Sequence, residues 1–82
     1  MDPRSVIESV FRQEHGRIIA TLIRVARSFD KAEEAMQDAF AAALASWPET
    51  GIPQNPAAWI TAAAYRKLID RGRHEKTIRE KQ

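Results

Sequence analysis

Glu33, Glu34 and Asp38 are the residues best placed to do acid–base chemistry, three carboxylates close together in the stretch DKAEEAMQDAF over residues 30–40. Paired carboxylates work as acid and base when their surroundings push the two pKa values apart. Here each group has a plainer task. Asp30 is placed to cap a helix, with Glu33 three residues on reaching back as the second half of a capping box. Glu34 and Asp38 then form an i,i+4 pair of like charges on a wet helix face, which costs about 0.2–0.5 kcal/mol. An external basic partner accounts for that cost; catalysis does not. His15 and His74 are far apart, and neither lies in a ligand spacing such as HExxH. There is no cysteine, so thiolate nucleophiles, thiolate metal sites and disulfides are excluded. Gly16, Gly51 and Gly72 are isolated, which leaves no glycine-rich phosphate loop. The residues imply no enzyme and no cofactor.

Charge is distributed unevenly. Residues 1–63 carry six Lys/Arg and eight Asp/Glu, a balance of −2, and residues 64–82 carry seven and three, a balance of +4. Two different surfaces follow, one suited to a basic partner and one to phosphates. The opening MDPRSV is unlike a signal peptide and no apolar run reaches membrane-spanning length, so the reading is of a cytoplasmic chain with no membrane partner.

Eighty-two residues make one domain with a modest core. Three helical stretches position the charged groups, and no strand competes. In the first, about Ser5 to Ser28, Val6, Ile7, Val10, Phe11, Ile18, Ile19, Leu22, Ile23 and Ala26 recur at spacings of three and four. Gly16 inside it marks a bend or a close helix contact. The second begins at Asp30, turns Ala32, Ala35, Met36, Ala39, Phe40, Ala43, Leu44 and Trp47 to the core, and ends before Pro48. A join as short as Phe29 favours an antiparallel or sharply angled pair. PETGIPQN is an ordered loop, after which Asn55 caps a third helix with Pro56 at its first position. On that helix Ile60, Ala64 and Leu68 form a stripe flanked by Trp59 and Ala63, while Tyr65 and Ile69 point away from its centre. Apolar residues on two sides mean a sandwiched helix or one side awaiting a partner. The expected fold is all-α, a small bundle of three to four helices.

Taken together, the segments resemble region 2 of a bacterial RNA polymerase sigma factor, most closely the extracytoplasmic-function group of the sigma-70 family. DKAEEAMQDAFAAALASW is similar to the polymerase-binding helix, PETGIPQNPAAWI to the specificity loop and the helix start after it, and LIDRGRHEK to the end of the promoter-melting helix. The likeness covers nearly the whole chain and implies a single region 2 domain over 1–82. Its polymerase-binding helix spans about 30–47, its specificity loop about 48–55, its melting helix about 56–72 and its basic end 73–82. By resemblance, Glu34, Gln37 and Asp38, with Asp30 and Glu33 nearer the helix start, dock on the clamp helices of the polymerase's largest subunit. Carboxylates meeting arginines give oriented, charge-assisted bonds, and an amide adds donor–acceptor geometry.

The same resemblance implies that the loop and third helix melt the promoter's −10 element and hold its non-template strand as single-stranded DNA. Gly51, Ile52, Pro53, Gln54 and Asn55 match the specificity loop. Arg66, Lys67, Arg71 and Arg73 are the implied phosphate contacts, extended by Lys76 and Arg79. Tyr65 is a stacking group for a base, and Trp59 a core anchor. An anti-sigma factor is a further candidate partner. Two positions depart from the group's pattern: Tyr65-Arg66 stands where an Arg-Asn pair is common, and Gly72 replaces a usual leucine, which is expected to weaken the helix end. A second, helix-turn-helix domain for the −35 element has no counterpart here. The expectation is an excised domain or truncated product that binds polymerase weakly alone and duplex DNA hardly at all. The residues by themselves also fit a helical protein–protein interaction module in which the basic helix never touches DNA.

Overall fold

Asp2 accepts a hydrogen bond from the Ser5 N–H and Pro3 occupies the first helical position, where its missing donor costs nothing, so a helix starts at the beginning of the chain. The computed structural model describes the backbone over residues 2–81 and side chains to Arg73. Three helices follow in order: α1, Pro3–Ala26; α2, Phe29–Thr50; and α3, Pro56–Lys81. Each packs against the other two, giving an all-α three-helix bundle.

Helix α1 ends where Arg27 enters the left-handed region at φ 56°, with its N–H donating to the Ile23 carbonyl at 2.7 Å. The turn between α1 and α2 is therefore Arg27-Ser28, not Phe29. Ser28 is extended and its hydroxyl accepts from the Lys31 N–H, so Ser28 is the cap of α2. This corrects the expected Asp30–Glu33 capping box. Asp30 is already the second helical residue, where its charge favours the positive end of the helix without capping it.

Pro48 does not end α2 either. The helix runs on to Thr50 and is closed by Gly51, whose N–H donates to the Trp47 carbonyl at 2.8 Å in a φ 95° conformation suited to glycine. A proline removes the bond to the carbonyl four residues earlier. That carbonyl belongs to Leu44, on the exposed side of the helix, and Pro48 stands within the final turn. The connecting loop is thus 51–55 rather than 48–55. At its far side Asn55 accepts from the Ala58 N–H at 3.1 Å and Pro56 begins α3, as the sequence predicts. Helix α3 is continuous through Gly72.

The core is apolar throughout. Ile7, Ile18 and Leu22 of α1 meet the α2 row Ala32, Ala35, Met36, Ala39, Phe40, Ala43 and Trp47, closed by Ile60 and Ala64 of α3. The alanines let the helix backbones approach, and Trp47, Leu22 and Ile60 supply the bulk. Trp59 packs against this core with its ring edge-to-face on Trp47, centroids 5.3 Å apart, which makes it an anchor as expected. Phe11 and Leu44, assigned to the core by periodicity, are each 47% exposed on the side of the α1–α2 pair that no third helix covers. Phe11 instead stacks on His15 and meets Phe40 edge-on, and the His15 ring bonds the Phe11 carbonyl.

Gly16 is neither a helix break nor a close contact. Helix α1 passes through it, and a Cβ added there would meet nothing within 4 Å. Gly16→Ala is therefore expected to raise stability by about 1 kcal/mol, the helix-propensity difference, read as a higher urea midpoint with an unchanged slope.

Candidate functional site

The 3.6-residue period of α2 sorts its residues into two stripes. Its core row leaves Asp30, Glu33, Glu34, Gln37 and Asp38 on a second stripe at spacings of three and four, facing outward. Gln37 is exposed; Glu33 and Asp38 are partly buried. Because Ser28 caps the helix, no local task removes Asp30 and Glu33 from this acid and amide stripe.

Glu34 and Asp38 meet a partner within the domain. The Arg71 guanidinium of α3 donates from Nη2 to Glu34 Oε1 at 2.7 Å and lies 3.5 Å from Asp38 Oδ2. The hydrogen bond from Arg71, then its charge, hold the Glu34 carboxyl below the ordinary carboxylate value, against a small opposing effect of desolvation. A lowered carboxyl keeps the contact intact at neutral pH and loses it as the pH falls through that lowered value. The bridge relieves the repulsion between the two carboxylates that the sequence alone leaves unpaired.

Helix α3 presents a different surface. Opposite its Ile60–Ala64–Leu68 side, Ala58, Ala62, Tyr65, Arg66, Ile69 and Arg73 line a shallow open groove, with Thr61 and Asp70 at its margins. Tyr65 is 45% exposed, so it does not pack into the bundle, and this side of α3 is unsandwiched. Arg66 and Lys67 are exposed and make no ion pair among the described residues. An aromatic ring and aliphatic carbons flanked by guanidinium groups form a surface able to receive a planar apolar group attached to an anion. Tyr65, Arg66 and Arg73 were legible as site residues from type; the contribution of Ala58, Thr61 and Ala62 to the groove was hidden in what reads as an ordinary alanine-rich helix.

The loop residues divide. Ile52 packs against the core and Pro53 is half-buried, so these two fix the loop's path. Asn55 is committed to its cap. Gln54 is exposed and keeps its amide for other contacts. Lys76 and Arg79 lie outside the residues whose side chains are described, as does His74. Among the described residues no group of three or more His, Asp or Glu side chains could hold a metal, and no helix is long and apolar enough to cross a membrane.

Comparison with known proteins bears on this geometry. An uncharacterized protein of Rhizobium meliloti (strain 1021) is 42% identical over 57 residues, which is 70% of this chain and 14% of that protein. The chain thus spans about one seventh of the length of this curated relative. No solved structure matches. The pattern of the family described as Sigma-70 region 2 matches residues 10–78, covering α2, the loop and most of α3. A helical bundle with an acid and amide stripe on its second helix and a basic, aromatic face on its third is thereby placed: the chain belongs to the sigma-70 region 2 family.

Proposed function

We propose that this domain acts in transcription initiation as region 2 of a sigma factor of the extracytoplasmic-function group. Asp30, Glu33, Glu34, Gln37 and Asp38 dock on the clamp helices of the RNA polymerase largest subunit. The loop 51–55 and the outward face of α3 hold the non-template strand of the −10 element while the promoter melts. Gln54 reads a base edge, Tyr65 stacks on a base, and Arg66, Lys67, Arg71 and Arg73 contact phosphates.

The observation that carries this reading is the separation of two unlike surfaces on adjoining helices. The outward stripe of α2 is acid and amide; the open face of α3 sets two arginines, Arg66 and Arg73, with the single carboxylate of Asp70, around an exposed tyrosine. A protein-only adaptor has a use for the first surface but none for the second.

Titration of the isolated clamp helices against the domain tests the docking half. Gln37→Ala with Asp38→Ala is expected to weaken binding by about tenfold, the loss of one oriented amide contact and one charge-assisted bond. Helical content and unfolding midpoint should change little, since neither residue is in the core. Unchanged affinity in the double variant would remove the α2 stripe from the interface.

A further inference from the structure

The side of the α1–α2 pair that α3 leaves uncovered is apolar at its centre. Phe11 lines a shallow groove there with Ile7, Phe40, Glu8 and Arg12. Its ring is held from two sides, stacked on His15 at 4.8 Å and edge-on to Phe40 at 5.4 Å, yet it remains 47% exposed. Phe40 touches Phe11 and lies one turn from the equally exposed Leu44, so the three form one patch across both helices. A contiguous apolar patch with a fixed aromatic ring marks a contact surface. The charges beside it say what covers it. Glu8 and Arg12 are exposed, stand one turn apart on α1, and form no ion pair among the described residues. An acidic partner is repelled by Glu8 and a basic one by Arg12. A second copy laid antiparallel on the first satisfies both, because a two-fold axis between the two positions sets each Glu8 against the other copy's Arg12.

We propose that this face joins two copies of the chain in a symmetric dimer, with Phe11 at its centre and reciprocal Glu8–Arg12 pairs at its edges. The Phe11 ring supplies most of the affinity, and the charge pairs fix the antiparallel orientation. The patch is small, which places the association among weak, transient contacts. It uses neither the acid and amide stripe of α2 nor the groove on α3, and it stands or falls apart from the function proposed above.

Sedimentation equilibrium of the 82-residue chain from about 10 μM to about 1 mM tests the dimer. The weight-average mass should rise with concentration from 9.3 kDa toward twice that value. Phe11→Ser should abolish the rise. Glu8→Arg and Arg12→Glu each set like charges face to face in the dimer, and each alone should weaken self-association at least about tenfold. Mixed in equal amounts, these two variants should associate at least as tightly as the unaltered chain, since each then opposes the other's charges with the opposite sign. Both substitutions are on exposed positions, and far-UV circular dichroism should show each variant as helical as the parent. A chain that stays monomeric across the range leaves the face to another occupant and overturns the proposal. Self-association undiminished in Phe11→Ser places any dimer on a different surface and overturns it too. A mixture that associates no more tightly than either charge variant alone would remove the antiparallel Glu8–Arg12 pairing on which the second copy was chosen.

Discussion

Trp47→Ala is expected to lower the stability of the domain by about 3–5 kcal/mol, the range for deleting a large aromatic from a packed core. Trp47 is 1% exposed and is the largest fully buried side chain. Four of the seven buried α2 residues are alanines, so the volume that α2 puts into the core comes from Met36, Phe40 and Trp47. Trp47 also lies where α2 ends and α3 begins, edge-to-face with Trp59, in the same cluster as Ile52 of the loop. Its removal leaves a cavity at the junction that aligns the two candidate surfaces. Domains of this size hold about 0.05–0.15 kcal/mol per residue, so the loss approaches the whole stability. Thermal unfolding followed by far-UV circular dichroism should show a midpoint at least about 12 °C lower. The indole N–H has no hydrogen-bond partner among the described residues, so Trp47→Phe forfeits packing but no hydrogen bond and should cost much less. A midpoint for Trp47→Ala within a few degrees of the parent would mean that the α2–α3 junction is not part of the cooperative core.

The helices were legible where local chemistry is unambiguous. Asn55-Pro56 marks the start of α3 by two independent signals, and both are realised. The errors fall where two local solutions compete. Ser28 and Asp30 are both good caps two residues apart, and the choice depends on where the preceding helix releases the chain. That point is Arg27, a left-handed residue with no glycine to announce it. Pro48 reads as a terminator because the rule concerns helix interiors. Here the lost bond is that of the single Leu44 carbonyl, on an exposed side of the helix where water can replace it, and the remaining bonds carry the helix to Thr50. Phe11 and Leu44 follow the apolar period yet remain exposed, since periodicity shows which face is apolar and not how much of it a third helix covers.

The same division holds for the site. Stripes on one helix follow from spacing, and the α2 acid row and the Tyr65–Ile69 side of α3 were both visible that way. The Arg71 bridge to Glu34 and Asp38 was not. It depends on the angle at which α2 and α3 cross, and sequence alone offered Arg71 only as one of several cations near the end of a basic helix. The structure also changes the weight of Asp30 and Glu33. Capping by Ser28 returns them to the acidic surface and makes that surface about one turn longer than the Glu34–Asp38 pair.

Reversing charge at Arg66 and Lys67 separates the DNA-binding reading from a protein-only module. Both side chains are exposed and form no ion pair among the described residues, so Arg66→Glu with Lys67→Glu leaves the core intact. The structural penalty is two like-charge pairs with Asp70, from position 66 at i,i+4 and from position 67 at i,i+3, about 0.2–0.5 kcal/mol each. The functional loss should be far larger. Each phosphate contact on a single strand contributes about 0.7 to the slope of log affinity against log salt, so losing two flattens that slope by about 1.4. Replacing attraction with repulsion on the groove beside Tyr65 should weaken oligonucleotide binding at least about tenfold at low salt. In a full-length context, open-complex formation should fall accordingly, measured by permanganate reactivity of unpaired thymines. Affinity for the clamp helices should be unchanged, because the docking stripe lies on α2. Promoter opening that survives the double reversal would leave α3 with no part in holding DNA, and the acidic helix would then be the domain's working surface.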